Sequence, residues 1–354
     1  MKKIRVIVVD DSALMRKIVS DILNSQQDIE VIGTARNGED LLLKLSKDVP
    51  DVITLDVEMP KMDGITTLKE MKLRNYAVPI IMLSSISKNG TALTMECLEN
   101  GAFDFVAKPS GAISLDIEKI GEELINKIRL AYYKTSQEEK GILKSKIHVK
   151  RKDLSHRIER KNQKINAVVI GASTGGPKAL YKVITELPEN LEVPIFVVQH
   201  MPVGFTKAFA ERLNSNSKIK VVEATQGESI EKNVVYVAPG GFHMEIGLDK
   251  KIHLTTEPPI WGVRPAVDKL FISAAKVYGS NLLSIVLTGM GKDGAQGTIE
   301  VKNKGGITIS EDKSTCTIYG MPKVAFETGK VDEVLPIDEI AEAIVKNTTG
   351  ALGG

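Results

Sequence analysis

Ser173 stands in Gly171-Ala172-Ser173-Thr174-Gly175-Gly176-Pro177, after the apolar run Ala167-Val168-Val169-Ile170 and before the amphipathic stretch Lys178-Ala179-Leu180-Tyr181-Lys182-Val183-Ile184. The run predicts a buried strand and the stretch after it a helix. Pro177 suits a first helical turn. Gly171, Gly175 and Gly176 permit a sharp strand-to-helix bend. The hydroxyl is thereby lifted toward the positive end of a helix, in G-x-S-x-G spacing. The same turn could instead cap the helix or cradle a phosphate. A nucleophilic serine needs a base and a carboxylate to orient that base. His200 ends the apolar run Ile195-Phe196-Val197-Val198-Gln199, and Asp293 follows Leu283–Leu287 in the glycine-rich loop Thr288-Gly289-Met290-Gly291-Lys292-Asp293-Gly294. Ser173 as nucleophile, His200 as base and Asp293 as orienter therefore form one candidate set. The backbone N–H groups of Thr174 and Met290 are candidate oxyanion donors. His243 is a second candidate base, and His253 reads as structural. His148 and His156 fall in a basic stretch and are poor candidates. Asp293 could also merely cap the next helix.

A second constellation lies near the N-terminus. Asp10 and Asp11 end one apolar run, Asp56 ends another, Ser84 a third, and Lys108 a fourth, before Pro109. Three carboxylates in one small space repel unless a cation sits among them. A hard divalent ion with oxygen ligands, such as Mg2+, suits them. Asp56 can then act as nucleophile toward a phosphorylated donor. Lys108 and Ser84 offer a charge and a hydroxyl to a phosphoryl oxygen. Read separately, Asp10 and Asp11 could cap the helix near Ser12, and Asp56 could open a turn.

Both sets require strand ends, and the elements supply them. Strand patterns at Ile4–Val9, Val31–Thr34, Val52–Leu55, Ile80–Leu83 and Phe105–Ala107 alternate with helical ones, predicting a parallel sheet covered on both faces. Alternation resumes with strand patterns at Ala167–Ile170, Pro194–Gln199, Ile219–Glu223, Val234–Ala238, Ile252–Thr255, Leu282–Thr288 and Ile307–Ile309. A mostly parallel sheet with an antiparallel hairpin around 234–255 is expected there. The expected division is a first α/β domain at 1–130, a linker at 131–165, a second α/β domain at 166–347 and a tail at 348–354.

The 354 residues carry a net charge of +2, which gives the whole chain no strong pull toward nucleic acid. Residues 131–165 are the exception, with 11 basic and 4 acidic side chains. Their lack of an apolar period reads as a solvated linker. A DNA-binding role for it would need aromatics or a folded reader, which it lacks. The two cysteines, Cys97 and Cys316, lack metal-ligand spacing and read as reduced, buried thiols. No signal peptide or membrane span is legible, so a cytoplasmic protein without membrane insertion is expected.

Residues 4–110 resemble a response-regulator receiver domain, on Val8-Val9-Asp10-Asp11-Ser12, Leu55-Asp56-Val57-Glu58-Met59-Pro60, Asp63-Gly64, Leu83-Ser84-Ser85 and Val106-Ala107-Lys108-Pro109. The second domain resembles the chemotaxis protein-glutamate methylesterases. Gly171–Gly176, Gln199-His200-Met201-Pro202, Thr288–Gly294, Ala238-Pro239-Gly240 with His243-Met244, and Arg264-Pro265-Ala266-Val267-Asp268 carry that likeness. Phe242 and Ala266 stand where that family is expected to carry more polar residues. The resemblance implies a flavodoxin-like receiver followed by a Rossmann-like α/β methylesterase domain. It implies phosphorylation of Asp56 by a chemotaxis histidine kinase, with Mg2+ on Asp10, Asp11, Asp56 and the Glu58 backbone carbonyl. Ser84, Phe105 and Lys108 would form the receiver's switch. It implies hydrolysis of glutamyl methyl esters, and deamidation of glutamines, on methyl-accepting chemotaxis receptors, without a cofactor for that reaction. The unphosphorylated receiver would cover the Ser173 cleft. The order Ser, His, Asp differs from the Ser, acid, His order of α/β-hydrolases. The rival reading is a receiver-controlled nucleotide- or DNA-binding regulator.

Overall fold

The structure is a computed structural model and describes residues 3–108, 115–139 and 164–349. The chain divides into two compact units, Met1–Lys144 and Ser145–Gly354.

The first unit holds five strands: β1 (Ile4–Val9), β2 (Ile29–Ala35), β3 (Val52–Asp56), β4 (Ile80–Ser84) and β5 (Asp104–Ala107). They form one parallel sheet in the order β2-β1-β3-β4-β5. This is the flavodoxin-like order. Helices α1 (Ala13–Asn24), α2 (Gly38–Leu45), α3 (Gly64–Leu73), α4 (Lys88–Glu99) and α5 (Leu115–Glu139) connect and cover it. Strand β3 is buried throughout, as a parallel strand covered on both faces must be. Helix α5 continues to Glu139, past the boundary expected at 130. The basic stretch beyond it, with His148 and His156, lies outside the described residues.

The second unit contains β6 (Ala167–Ala172), β7 (Ile195–Gln199), β8 (Lys220–Glu223), β9 (Val234–Val237), β10 (His243–Ile246), β11 (Ile252–Thr255), β12 (Leu282–Val286), β13 (Ile307–Glu311) and β14 (Glu333–Leu335). Its helices are α6 (Gly176–Thr185), α7 (Phe205–Asn216), α8 (Val267–Tyr278), α9 (Ala295–Asn303), α10 (Met321–Glu327) and α11 (Ile337–Thr349). Seven strands make a parallel sheet in the order β14-β13-β12-β6-β7-β9-β8. The antiparallel hairpin is β10 with β11. The expectation of a hairpin across 234–255 is therefore corrected in part. Val234–Val237 is buried at every position and pairs in parallel with β7 and β8. The partly exposed β10 and β11 stand apart as a two-stranded ribbon.

In both sheets chain order reverses beside a central strand. In the first sheet β1 lies between β2 and β3; in the second β6 lies between β7 and β12. Sites in open parallel sheets form outside the carboxyl ends of the strands at such a reversal.

Candidate functional site

Ser173 follows β6 and His200 follows β7. The register pairs Ala172 with Gln199, and the His200 N–H donates to Ala172 O at 3.0 Å. Gln199 ties the two loops together, its Nε2 donating to Ser173 O and to His200 O, each at 3.0 Å. This role was not read from the sequence, though Gln199 lay inside the quoted motif. Gly175 takes φ +76, and a Cβ on it would meet Thr317 at 2.3 Å, so the turn needs glycine there on both counts.

His200 Nε2 lies 2.8 Å from Asp293 Oδ2. That leaves Nδ1 as the ring nitrogen able to take a proton from a hydroxyl. The Ser173 hydroxyl makes no hydrogen bond to His200 in the structure, so only the second link of the expected line is closed. Such links are often long before substrate binds. The Thr174 and Met290 N–H groups donate no hydrogen bond among the described residues. Met290 is half exposed, at the lip of the loop after β12.

Asp293 is buried, and its oxygens accept the Val267 N–H at 2.7 Å and the Asp268 N–H at 2.9 Å. It thus caps α8, whose own N-cap is Ala266 with no side-chain cap. Asp268 returns the arrangement. Its Oδ1 accepts the Gly294 N–H at 3.0 Å and the Gly297 N–H at 2.7 Å, at the start of α9, where Gly294 offers no side chain. The expected capping by Asp293 therefore occurs, but on α8 rather than on the helix it precedes. Burial opposes the charge on Asp293, yet His200 and the backbone donors outweigh it and hold the carboxyl below its usual range. Burial, with the Asp293 charge adding to it, pushes Asp268 up. The Trp261 indole N–H reaches Asp268 Oδ2 at 3.3 Å, and Lys292 Nζ sits 3.6 Å from the centre of the Trp261 ring. Asp268 and Trp261 went unread as parts of this site; only the motif 264–268 pointed near them.

His243 is fully buried. Its Nδ1 accepts the Ala266 N–H at 3.2 Å and its Nε2 faces Pro258 O at 3.1 Å. Both nitrogens are spent on backbone, so it is no base. His253 pairs with Asp249 on the surface. Ala266 is buried and Phe242 is 39% exposed.

In the first unit the sequence set gathers at the strand ends. Carboxylate oxygens of Asp10, Asp11 and Asp56 lie within 4.8 Å of one another. Lys108 Nζ is 2.7 Å from Asp10 Oδ2 and 2.7 Å from Asp56 Oδ2. The ion contact at Asp10 is not directed as a hydrogen bond, so that buried oxygen has no hydrogen-bond partner. Burial, partly offset by Lys108, pushes the Asp56 carboxyl up to about 6. The Glu58 N–H approaches Asp56 Oδ1 at 3.4 Å, while the Glu58 carboxylate accepts from Ser85 and Asn89. Ser84 has partners of its own. Its hydroxyl faces α4, donating to Gly90 O at 3.1 Å and accepting from the Thr94 hydroxyl at 2.6 Å. A fully buried hydroxyl takes the nearest partners, and here these belong to α4. Phe105 is buried, with Lys127 Nζ 5.3 Å from its ring centre.

Comparison with known proteins agrees with this division. The CheB methylesterase family model matches residues 168–344, and the response regulator receiver domain model matches residues 6–117. A protein-glutamate methylesterase/protein-glutamine glutaminase of Clostridium acetobutylicum is 59% identical over 350 residues, covering 99% of each chain. Its namesake in Pyrococcus horikoshii is 45% identical over 356 residues, covering 100% of this chain and 96% of its own. The crystal structure of the Thermotoga maritima CheB methylesterase catalytic domain is similar with a TM-score of 0.50 and 47% identity. It covers 51% of this chain and 98% of its own. None of these matches supports the nucleotide- or DNA-binding alternative. Among the described residues no helix is long and apolar enough to cross a membrane.

Proposed function

The chain belongs to the CheB methylesterase family, with a response regulator receiver domain ahead of the esterase domain, and from that we propose a phosphorylation-controlled protein-glutamate methylesterase and glutamine deamidase. Its substrates are methyl-accepting chemotaxis receptors and its phosphodonor is a chemotaxis histidine kinase. The reading is of a cytoplasmic enzyme.

The observation that carries the reading is the His200–Asp293 pair at 2.8 Å, at the end of the strand beside the Ser173 turn. With Nε2 bound to Asp293, Nδ1 of His200 takes the Ser173 proton as Oγ bonds to the ester carbonyl carbon. The carbonyl electron pair moves to oxygen, which the Thr174 and Met290 N–H groups would receive. Collapse breaks the bond to methoxide, which leaves as methanol with the proton from His200. Water then adds to the acyl carbon and gives a proton to His200. The Ser173 oxygen leaves, takes that proton back, and frees the glutamate side chain. With glutamine the first leaving group is ammonia.

In the receiver, Asp10, Asp11 and Asp56 would hold Mg2+, joined by the Glu58 carbonyl. The buried Asp10 oxygen without a hydrogen bond and the all-oxygen donor set fit such an ion. When bound, it supplies charge neutralisation for the carboxylates and a phosphoryl oxygen. Lys108 stands ready to pair with that oxygen, Ser84 would have to turn away from α4 to reach it, and Asp56 accepts the phosphoryl group. Aspartyl phosphate shifts the chain toward a form in which Ser173 is uncovered.

Methanol release from methylated receptor tests the esterase half. We expect loss by orders of magnitude in Ser173→Ala and His200→Ala. Undiminished release by either protein would overturn the assignment.

A further inference from the structure

We propose that Thr288 is a positioning residue that sets the gap between the two oxyanion N–H groups, with Glu311 holding it from behind. The proposal rests on the serine-hydrolase reading above. The peptide that carries the Thr174 N–H is fixed through its carbonyl, Ser173 O, which accepts from Gln199 Nε2 at 3.0 Å and from the Gly176 N–H at 2.7 Å. The peptide that carries the Met290 N–H is fixed through Gly289 O, which accepts the Met321 N–H at 2.7 Å. In a trans peptide the N–H points opposite the carbonyl, so anchoring each carbonyl aims each donor. The distance between the two peptides is a separate matter, and Thr288 spans it.

Every polar group of Thr288 is engaged, and the residue is 1% exposed. Its carbonyl accepts the Ser173 N–H at 3.0 Å. Its hydroxyl lies 3.0 Å from Thr174 O, which accepts from it, and takes the Ile318 N–H at 2.9 Å. Its own N–H donates to Glu311 Oε2 at 2.7 Å. Glu311 ends β13, is 1% exposed and accepts the Thr315 hydroxyl at 3.0 Å on its other oxygen. The serine turn, the Met290 loop and the 315–318 loop thus meet at one side chain. Gly289 lets them meet: a Cβ there would come within 2.8 Å of the Ser173 Cβ and 2.4 Å of Met321 Sδ. Small displacements of donors from a developing oxyanion are expensive in rate.

The test compares Thr288→Val, which keeps shape and methyl but loses the hydroxyl, with Thr288→Ser, which does the reverse. Full-length protein is assayed for methanol release from methylated receptor, with Ser173→Ala as control and thermal midpoints measured alongside. Thr288→Val is expected to lower kcat about 10- to 100-fold with KM within about twofold. Thr288→Ser is expected to stay within about threefold of wild type, since it retains the hydroxyl. A wild-type kcat in Thr288→Val overturns the proposal. So does a loss that follows the thermal midpoint, with Thr288→Ser no better than Thr288→Val, because methyl packing would then be the role. Should Thr288→Val not fold, Thr288→Ala takes its place with the same expectation and the same overturning result. Release that survives in Ser173→Ala instead overturns the serine reading beneath it.

Discussion

The two units of this chain start their helices differently. In the receiver, α1 to α4 are capped by their own side chains: Ser12, Asn37, Asp63 and Ser87 each accept an N–H from their own first turn. In the esterase unit, α6 to α10 have no side-chain cap from their own N-cap residues, and three of those residues are glycines in the left-handed region. Two of these helices, α8 and α9, are capped by carboxylates from each other's starts, Asp293 and Asp268. The lesson is about what each half is built to do. Locally satisfied helices leave the receiver's strand-end carboxylates gathered around Lys108. Helices capped from a distance spend their N-termini on holding the Asp293 and Asp268 carboxylates still.

The electrostatics follow the same division. Asp10, Asp11 and Asp56 share the single Lys108 ammonium, which reaches Asp10 and Asp56, and burial still pushes Asp56 up to about 6, so the first cluster carries more negative than positive charge until a cation is added. Asp293 is fully bonded and held ionised, so the second site is balanced as it stands.

The contrast breaks most severely at Ser173. Ser173→Ala should cut methanol release by at least about 10^3-fold and leave phosphoryl uptake by Asp56 untouched, checked with a small phosphodonor. Asp293→Asn should cost about 10^2- to 10^4-fold, because the imidazole loses both its orientation and its tautomer. Asp56→Asn should abolish stimulation of the esterase by the same phosphodonor; stimulation that persists would separate the two sites. Capping sharpens the comparison. Asp268→Ala should lower esterase-unit stability by about 2–4 kcal/mol in urea unfolding, through two lost caps in a buried setting.

Acid titration reads Asp56. Burial favours its neutral form, so its contribution to folding is complete below the unfolded value near 4 and is lost as pH rises through about 6. Without divalent cations, Asp56→Asn should therefore make the receiver about 1–2 kcal/mol more stable than wild type at pH 7, and the difference should vanish below about pH 4. Mg2+ should raise the wild-type midpoint at pH 7 and do less for Asp10→Asn. The smallest effect expected is Ser12→Ala, at about 1 kcal/mol and confined to the receiver.

Much of this was legible because it is local. Apolar runs ending in Asp10, Asp56, Ser173 and His200 mark strand ends, since a parallel strand buried on both faces has no other composition open to it. Ser12, rather than Asp10 or Asp11, caps α1, three residues before the N–H it serves. The misreadings are all nonlocal. Val234–Val237 looked like half of a hairpin because nothing in four residues tells which sheet they will join. His243 was ruled out as a base by two backbone partners distant in sequence.

The amino-acid sequence alone determined two α/β units, the strand ends that carry their reactive groups, and the family to which those groups belong. Each of these depends on side-chain type and short-range spacing. Only the tertiary structure decided that His200 presents Nε2 to Asp293, that Asp293 and Asp268 cap one another's helices, and that Gln199 and Thr288 tie the loops around Ser173. Those choices are made by hydrogen bonds between residues 25 to 114 positions apart, and buried polar groups take whatever partner the packed sheet brings to them.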